Sequence, residues 1–414
     1  MPAPGVRLLG PASLCARVAL SVGQVVVAAG LAYYYFLLLV ASLRREPSYK
    51  GREPRMGFAV AIPAHNEASV IGQTVEQLRR QTYPPDLFEI YVLADHCSDE
   101  TADVARAAGA DCFERSDPPR GRKAYALQCL FERILHGRKD WDAIVVFDAD
   151  SRVDSHFLQA MNDALSPDRP VLQGQHVIVS PEDSPFSGLA AVDMRLNNLL
   201  RNSAKETLGL SCRLMGDGMC FASHIIRRWG WPAEGLGEDR EYGLCLLLQG
   251  VRVGYVPRAV SYGQAAPAWR DASTQRLRWY GGVQEIRRRF VPDLLVRAVR
   301  RMDWAALDQA VELLLPPLSV LTTLSLALAG AHLFLPSLGL LLPRVVSLAF
   351  AAAWALFPAM GLLADRAPLS AYQTLAWSPL YLGWRLWVAL RARVLGDRVR
   401  WVRTGRREEQ NSSE

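Results

Sequence analysis

Two phosphate-binding signatures are missing from this chain of 414 residues. Neither GxGxxG nor GxxxxGK followed by Ser or Thr occurs, which removes a Rossmann dinucleotide site and a P-loop from consideration. Cysteine is sparse, with 7 residues that form no CxxC pair and no cluster with histidine, so neither a zinc site nor a disulfide framework is expected. Charge is absent over long stretches. Residues 18–43, 313–343 and 345–364 contain no Asp, Glu, Lys or Arg, and each run reaches the ~20 residues needed to cross a bilayer. The first run also exceeds the core of a cleavable signal peptide and reads as an uncleaved anchor.

The charges that are present favour the basic side, +6 at neutral pH. The arginines gather beside the apolar runs: Arg44, Arg45, Arg52 and Arg55 after the first, Arg287 to Arg301 before the second, and Arg391 to Arg407 after the last apolar stretch. This is the positive-inside pattern, and it assigns the middle of the chain to the cytoplasm. No basic groove interleaved with aromatics is evident, so nucleic acid is not an expected partner. The boundaries that follow are a tail (1–17), an anchor (18–43), an α/β domain (57–284), an interfacial helix (285–310), a transmembrane hairpin (313–364) and a basic tail (394–414). Residues 371–393 are apolar enough to span. A span there would carry the arginine-rich tail outside, and Trp377, Tyr381, Trp384 and Trp387 recur at helical spacing, so an interfacial amphipathic helix is expected.

Within 57–284, short apolar runs alternate with helical patterns, implying βαβ units and a mostly parallel sheet. Strands are expected at Phe58–Ile62, Ile90–Ala94 and Ala143–Phe147, and helices at Ala68–Gln81, Glu100–Ala108 and Lys123–Leu135. The third strand runs into Asp148-Ala149-Asp150. Ligands of open α/β sheets bind beyond the carboxyl ends of the strands. Two acids there are hard oxygen ligands for Mg²⁺ or Mn²⁺ and, through the ion, for a diphosphate; the plain alternative is an acidic turn. The other two strands end in Pro63-Ala64-His65-Asn66-Glu67 and Asp95-His96-Cys97-Ser98-Asp99. Glu67 and Asp95 suit a nucleoside, while Asn66 and Ser98 occupy expected N-cap positions. Lys123, after Arg120-Gly121-Arg122, opens a helix and is placed to meet phosphate. Met215 to Phe221, containing Gly216 and Asp217, is either a loop lining an acceptor pocket or a turn into a strand. Glu238 and Asp239 start a helix, and Gln275, Arg278 and Trp279 share one helical face.

In this order and spacing, these motifs resemble the membrane-bound family-2 glycosyltransferases with a GT-A fold, the group of cellulose, chitin and hyaluronan synthases and ceramide glucosyltransferase. The resemblance spans about Phe58 to Gly282. It implies that Pro63, Glu67 and Asp95 hold the nucleoside of a UDP-sugar, that Lys123 and Asp148 meet its diphosphate, and that Asp148 and Asp150 hold Mg²⁺ or Mn²⁺. It implies further that Asp239 is the general base and that Arg278 neutralises the leaving group. Trp279, Gln275, Glu238 and the Gly216–Asp217 loop would line the acceptor site. The chain departs from the pattern at His65, His96, Gly237 and Arg122-Lys123-Ala124. Two products fit, a polysaccharide or oligosaccharide extended repeatedly, and a membrane lipid given one sugar. The expected setting is an integral membrane protein with its catalytic domain on the cytoplasmic face of a bacterial inner membrane. A non-catalytic membrane scaffold is the alternative from another class; it would tolerate loss of the carboxylates, and all are present.

Overall fold

The computed structural model describes residues 11–44, 51–118, 123–179, 181, 184–232, 235, 237–265, 269–334 and 340–395, without the side chains at 11–13, 269–271, 274, 275, 278, 279, 389 and 392–395. The expectations that concern Arg120 to Arg122 and the tail beyond 395 lie outside the described residues.

Eight strands form one sheet in the order β3-β2-β1-β4-β7-β6-β8-β5: β1 Phe58–Ala64, β2 Phe88–Asp95, β3 Asp111–Arg115, β4 Ala143–Val146, β5 Arg152–Val153, β6 Val171–Val179, β7 Met219–Ala222 and β8 Gly254–Gln264. The three apolar runs pair in parallel at the centre, β1 with β2 and with β4. Their side chains are buried on both faces, as continuous apolar strands require. The helices Ala68–Leu78 and Lys123–Leu135 supply the buried rows Ile71, Val75, Leu78 and Leu127, Leu130, Ile134 that cover them. Beyond β4 the sheet becomes mixed: β7 runs antiparallel to β4 and β6, β6 is parallel to β8, and β5 closes the edge antiparallel to β8. Strand β3 was not legible in the sequence. It is a short edge strand, Asp-Cys-Phe-Glu-Arg, with only Cys112 buried, and so lacks an apolar run.

The anchor is a 32-residue helix, Pro11–Ser42. Within it Leu14–Ser42, together with Arg344–Ala364, is long and apolar enough to cross a membrane. Leu318–Phe334 joins Trp304–Leu314 through a 57° bend, and this pair amounts to a third span only if counted as one. Trp304–Leu314 falls partly in the segment expected to lie in the interface. It packs Ala305, Ala306, Ala310 and Leu313 against Ile286, Phe290 and Leu294 of the long helix Trp269–Arg301. Its other face carries Asp308 and Glu312, buried among Lys205, Arg201 and Arg240. Tyr33 of the anchor donates to Asp308 Oδ1 at 2.8 Å, tying the anchor to the same network. The aromatic face at 377–387 is divided: Trp377 and Trp387 are about half exposed, whereas Tyr381 and Trp384 pack on the catalytic domain. Trp384 Nε1 donates to Ser273 Oγ at 2.9 Å, and Arg276 donates to the Tyr381 hydroxyl at 2.9 Å.

Candidate active site

The chain leaves β4 at Phe147 and turns so that Asp148 and Asp150 stand at the sheet's carboxyl edge with Ala149 buried between them. Lys123, the first residue of its helix, ion-pairs with Asp148 and donates to the Gly216 carbonyl at 2.7 Å. Gly216 has φ +82, and a β-carbon there would fall 3.5 Å from Asp239 Oδ2 and 3.6 Å from Lys123 Nζ. Four sequence-distant groups, Asp148, Lys123, the Gly216 carbonyl and Asp239, therefore meet around one point. Of Met215 to Phe221, Met215 and Gly216 line a cavity, and the stretch turns into β7, which begins at Met219.

Asp217 corrects an expectation. It is 2 % exposed and does not face the acceptor side; its Oδ1 accepts from the Asp148 backbone N–H (3.1 Å) and the Ser151 hydroxyl (2.5 Å). Its Oδ2 lies 2.9 Å from His176 Nδ1. Burial opposes ionisation of Asp217, but the hydrogen bond and charge of His176 outweigh it, and the carboxyl is held at about 2. The side chain thus fixes the backbone that aims Asp148. Breaking a buried pair of this kind costs about 3 kcal/mol, and loss of an outer support costs a metal site roughly 10- to 100-fold in affinity. Asp217→Asn is accordingly expected to lower the melting temperature and to weaken divalent-ion binding; calorimetry with and without Mn²⁺ measures both.

At the ends of β1 and β2, Pro63 lies opposite Leu93, and the following residues cross to the end of β2. His65 Nδ1 is 2.6 Å from the Asp95 carbonyl, and the Glu67 N–H donates to Thr101 Oγ1 at 2.8 Å. Asn66 and His96 adopt φ +56 and +53, left-handed values that non-glycine residues keep only when neighbours hold them. Asn66 Oδ1 accepts from the Ser98 N–H at 2.7 Å, so Asn66 stitches the two loops together and does not cap its helix. Asp99 does the capping expected of Asn66 and Ser98, accepting from the N–H groups of Thr101 (3.1 Å) and Ala68 (3.2 Å). Asp95 is buried, its Oδ1 accepting from Arg115 Nε at 2.7 Å and lying 2.8 Å from His96 Nδ1. Arg115 comes from the strand that sequence reasoning missed.

Glu238 and Asp239 open the helix Glu238–Leu248, and Asp239 Oδ1 accepts from the Arg240 N–H at 2.7 Å. Both acids line a cavity of ≈ 440 Å³ that starts at Lys123 and Asp148 and extends to Leu313, Leu315 and Pro316-Pro317-Leu318 at the bend before the third apolar helix. Burial raises the Glu238 carboxyl to about 7, with Asp239 adding and Lys123 partly offsetting. The sign follows from linkage. The folded value lies above the ordinary 4.5, so the folded state takes up the proton between those limits, and stability falls as pH rises through that window. In metal-free protein a loss on the order of 1–3 kcal/mol is expected between pH 4.5 and 7. Glu238→Gln should flatten that slope in chemical denaturation. Gln275, Arg278 and Trp279 lie on the backbone of Trp269–Arg301, whose Arg276 and Tyr280 line the same cavity; their own side chains lie outside the described residues.

The donor set fits a hard divalent ion. No group of three His, Cys, Asp or Glu able to hold a metal unaided occurs among the described residues. Mg²⁺ sites commonly use one or two carboxylates and complete the shell with phosphate and water. Asp148 and Asp150 match that arrangement, and Asp217 beside them adds a negative field that favours a cation.

Residues 54–282 match the model for glycosyltransferase-like family 2, more than half of the chain. The chain belongs to that family. Curated relatives of this family-2 glycosyltransferase include a probable glycosyltransferase YdaM of Bacillus subtilis, 25 % identical over 56 % of this chain and 56 % of that protein. They also include the UDP-forming cellulose synthase catalytic subunit of Pseudomonas fluorescens (26 %; 59 % and 33 %) and a beta-monoglucosyldiacylglycerol synthase of Synechocystis (25 %; 49 % and 42 %). The chain therefore spans no more than about half the length of these relatives. Among solved structures, the mannosyltransferase PcManGT of Pyrobaculum calidifontis, in complex with GDP-Man and Mn²⁺, matches with a TM-score of 0.56 at 19 % identity, over 92 % of this chain and 98 % of that one. The GT-A fold expected from the motifs is thereby shown, with apolar helices at the N-terminus and in the C-terminal region.

Proposed function

We propose that this family-2 glycosyltransferase moves a sugar, with inversion, from a nucleotide-diphosphate sugar to an acceptor hydroxyl at the cytoplasmic membrane face. The observation that carries this reading is the convergence of Asp148, Lys123 and Asp239 in one cavity that continues to the apolar residues at the membrane helices. Asp239 takes the proton of the acceptor hydroxyl as its oxygen attacks the anomeric carbon on the face opposite the diphosphate; the bond from that carbon to the diphosphate oxygen breaks, which inverts the centre. Lys123 and Arg278 meet the charge on the departing diphosphate. Asp150 and Asp148 would hold Mg²⁺ or Mn²⁺, which would supply further neutralisation of that diphosphate. Glu67 and Asp95, beside Pro63, hold the nucleoside. Gln275, Trp279, Glu238 and Gly216 contact the acceptor.

A UDP-sugar is the proposed donor, in keeping with the UDP-forming cellulose synthase among the relatives; the GDP-Man of the PcManGT complex makes GDP-sugars the comparison. Nucleotide release by detergent-purified protein across UDP-, GDP- and dTDP-sugars, with and without Mg²⁺ or Mn²⁺, tests the reading. Release with none of them would overturn it.

Of the two acceptor classes, a membrane lipid is favoured over a growing saccharide, because the cavity's far wall is Leu313, Leu315, Pro316, Pro317 and Leu318. Apolar side chains give a sugar polymer few hydrogen bonds, whereas they match acyl or isoprenoid chains. A single glycolipid product supports this assignment, and a ladder of saccharides refutes it. The apolar runs and the flanking arginines support three membrane passes with the C-terminus inside. A tag after Glu414 should accordingly be inaccessible from outside intact cells.

A further inference from the structure

Away from Asp148, Lys123 and Asp239, the cavity wall holds more positive charge than its own carboxylates neutralise. Arg201, Arg213, Arg240, Arg276, Arg287 and Arg385 line it; apart from Glu238, next to Asp239, the acids among them are Asp193 and Glu312. Both acids are already engaged. Asp193 Oδ2 pairs with Arg276 (3.0 Å) and Arg385 (3.4 Å). Glu312 pairs with Arg201 (2.9 Å), Arg240 (3.1 Å) and the buried Lys205. Arg213 forms no ion pair among the described residues, its buried Nε has no hydrogen-bond partner, and Glu312 and Asp239 act on it only through their charge. Arg240, 7 % exposed, also keeps a buried Nε without a partner. An unpaired buried guanidinium costs several kcal/mol unless an anion meets it. Burial, with the neighbouring Arg240 and Arg201, pulls the Arg213 guanidinium down to about 10, outweighing the opposite pull of Glu312 and Asp239.

Arg213 also stands in a particular place. Its backbone N–H is fixed by Asn202 Oδ1 at 3.0 Å, and Asn202 lies in a π-helical turn, Asn198–Ser203, that interrupts the helix running from Pro185 to Thr207. Three residues on is Gly216, beside Lys123 and Asp239. The same cavity thus holds the Asp239 carboxylate, the Arg213 guanidinium and the apolar residues Leu313, Leu315, Pro316, Pro317 and Leu318.

We propose that the acceptor is an anionic lipid: its phosphate sits on Arg213 with Arg240 and Arg201 beside it, its apolar chains lie along Leu313, Leu315 and Leu318, and its hydroxyl reaches Asp239. This rests on the transferase reading for the role of the hydroxyl but not for the binding of the phosphate, and the two are separable by experiment. Guanidinium is suited to the task, since its planar fork matches phosphate oxygens and stays charged.

The test uses the full chain in phosphatidylcholine nanodiscs, without donor, and measures binding of phosphatidic acid against diacylglycerol with the same acyl chains. Phosphatidic acid should bind at least 10-fold more tightly. Arg213→Gln should abolish the preference, Arg213→Lys should restore part of it, and Arg301→Gln, at an exposed arginine outside the cavity, should retain it. Unchanged thermal melting of Arg213→Gln verifies its fold. Equal binding of the two lipids by wild type, or an undiminished preference in Arg213→Gln, overturns the proposal. Inorganic phosphate should not displace the lipid at millimolar concentration; full displacement would mean a site for free phosphate and would overturn the lipid assignment. If no sugar nucleotide is turned over yet the preference and its loss in Arg213→Gln are seen, the transferase reading fails and the anionic-lipid site stands.

Discussion

Asp239→Asn should bind nucleotide sugar within about 2-fold of wild type while losing roughly 10²- to 10⁴-fold in transfer, the range for removal of a positioned base. The substitution keeps the size of the side chain and one oxygen, so the hydrogen bond from the Arg240 N–H at 2.7 Å can persist and the helix start is preserved. What is lost is the capacity to take a proton. In the proposed mechanism the donor's diphosphate is held by Asp148, Asp150 and Lys123, which is why binding and turnover should separate. Titration of the donor by calorimetry together with single-turnover transfer measures both. Undiminished transfer in the variant would remove Asp239 from the mechanism and turn attention to Glu238, one residue upstream in the same cavity.

Asp150→Ala should act on the opposite quantity. In the presence of Mg²⁺ or Mn²⁺, donor affinity is expected to fall on the order of 10²-fold or more, and the residual binding should no longer respond to EDTA. The physical reason is the composition of the site. Asp148 already shares its carboxylate with Lys123, and no set of three protein ligands exists among the described residues, so losing one of two carboxylates leaves the ion little hold. Asp217 cannot substitute, because its oxygens are committed to the Asp148 N–H, Ser151 and His176. Donor binding that stayed normal and EDTA-sensitive in Asp150→Ala would refute the metal assignment.

The two variants also divide what the sequence makes legible. Asp148 and Asp150 follow a buried strand with no polar face, a pattern that depends on near neighbours only, and the helix Lys123–Leu135 appears with the expected ends for the same reason. The GT-A sheet was readable where its strands are apolar and parallel. It was not readable at β3, whose polar edge residues look like a loop, yet β3 supplies the arginine that holds Asp95. Asn66 and Ser98 were sensible N-cap candidates by residue type. The cap went to Asp99 because the left-handed turn at Asn66 swings its side chain across to the second loop.

Asp217 shows the limit more sharply. Between two glycines it was expected to line an acceptor site, and the fold buries it under Asp148 because β7 pairs antiparallel with β4 and delivers the loop beneath the Asp148 backbone. Tyr381 and Trp384 likewise read as lipid-facing by spacing, and the fold sets them on Ser273 and Arg276.

By itself, the sequence determined the apolar runs, the central strands, the identity of the carboxylates and the family they belong to, since each of these is written in short-range pattern and order. The tertiary structure alone decided which of those carboxylates shares a cavity with which cation. Arg201, Arg213, Arg240 and Glu312 are scattered over more than a hundred residues, and only the packing of the helix Trp304–Leu314 against the α/β domain brings Glu312 to Arg201 and Arg240 while the buried Arg213 Nε keeps no hydrogen-bond partner among the described residues.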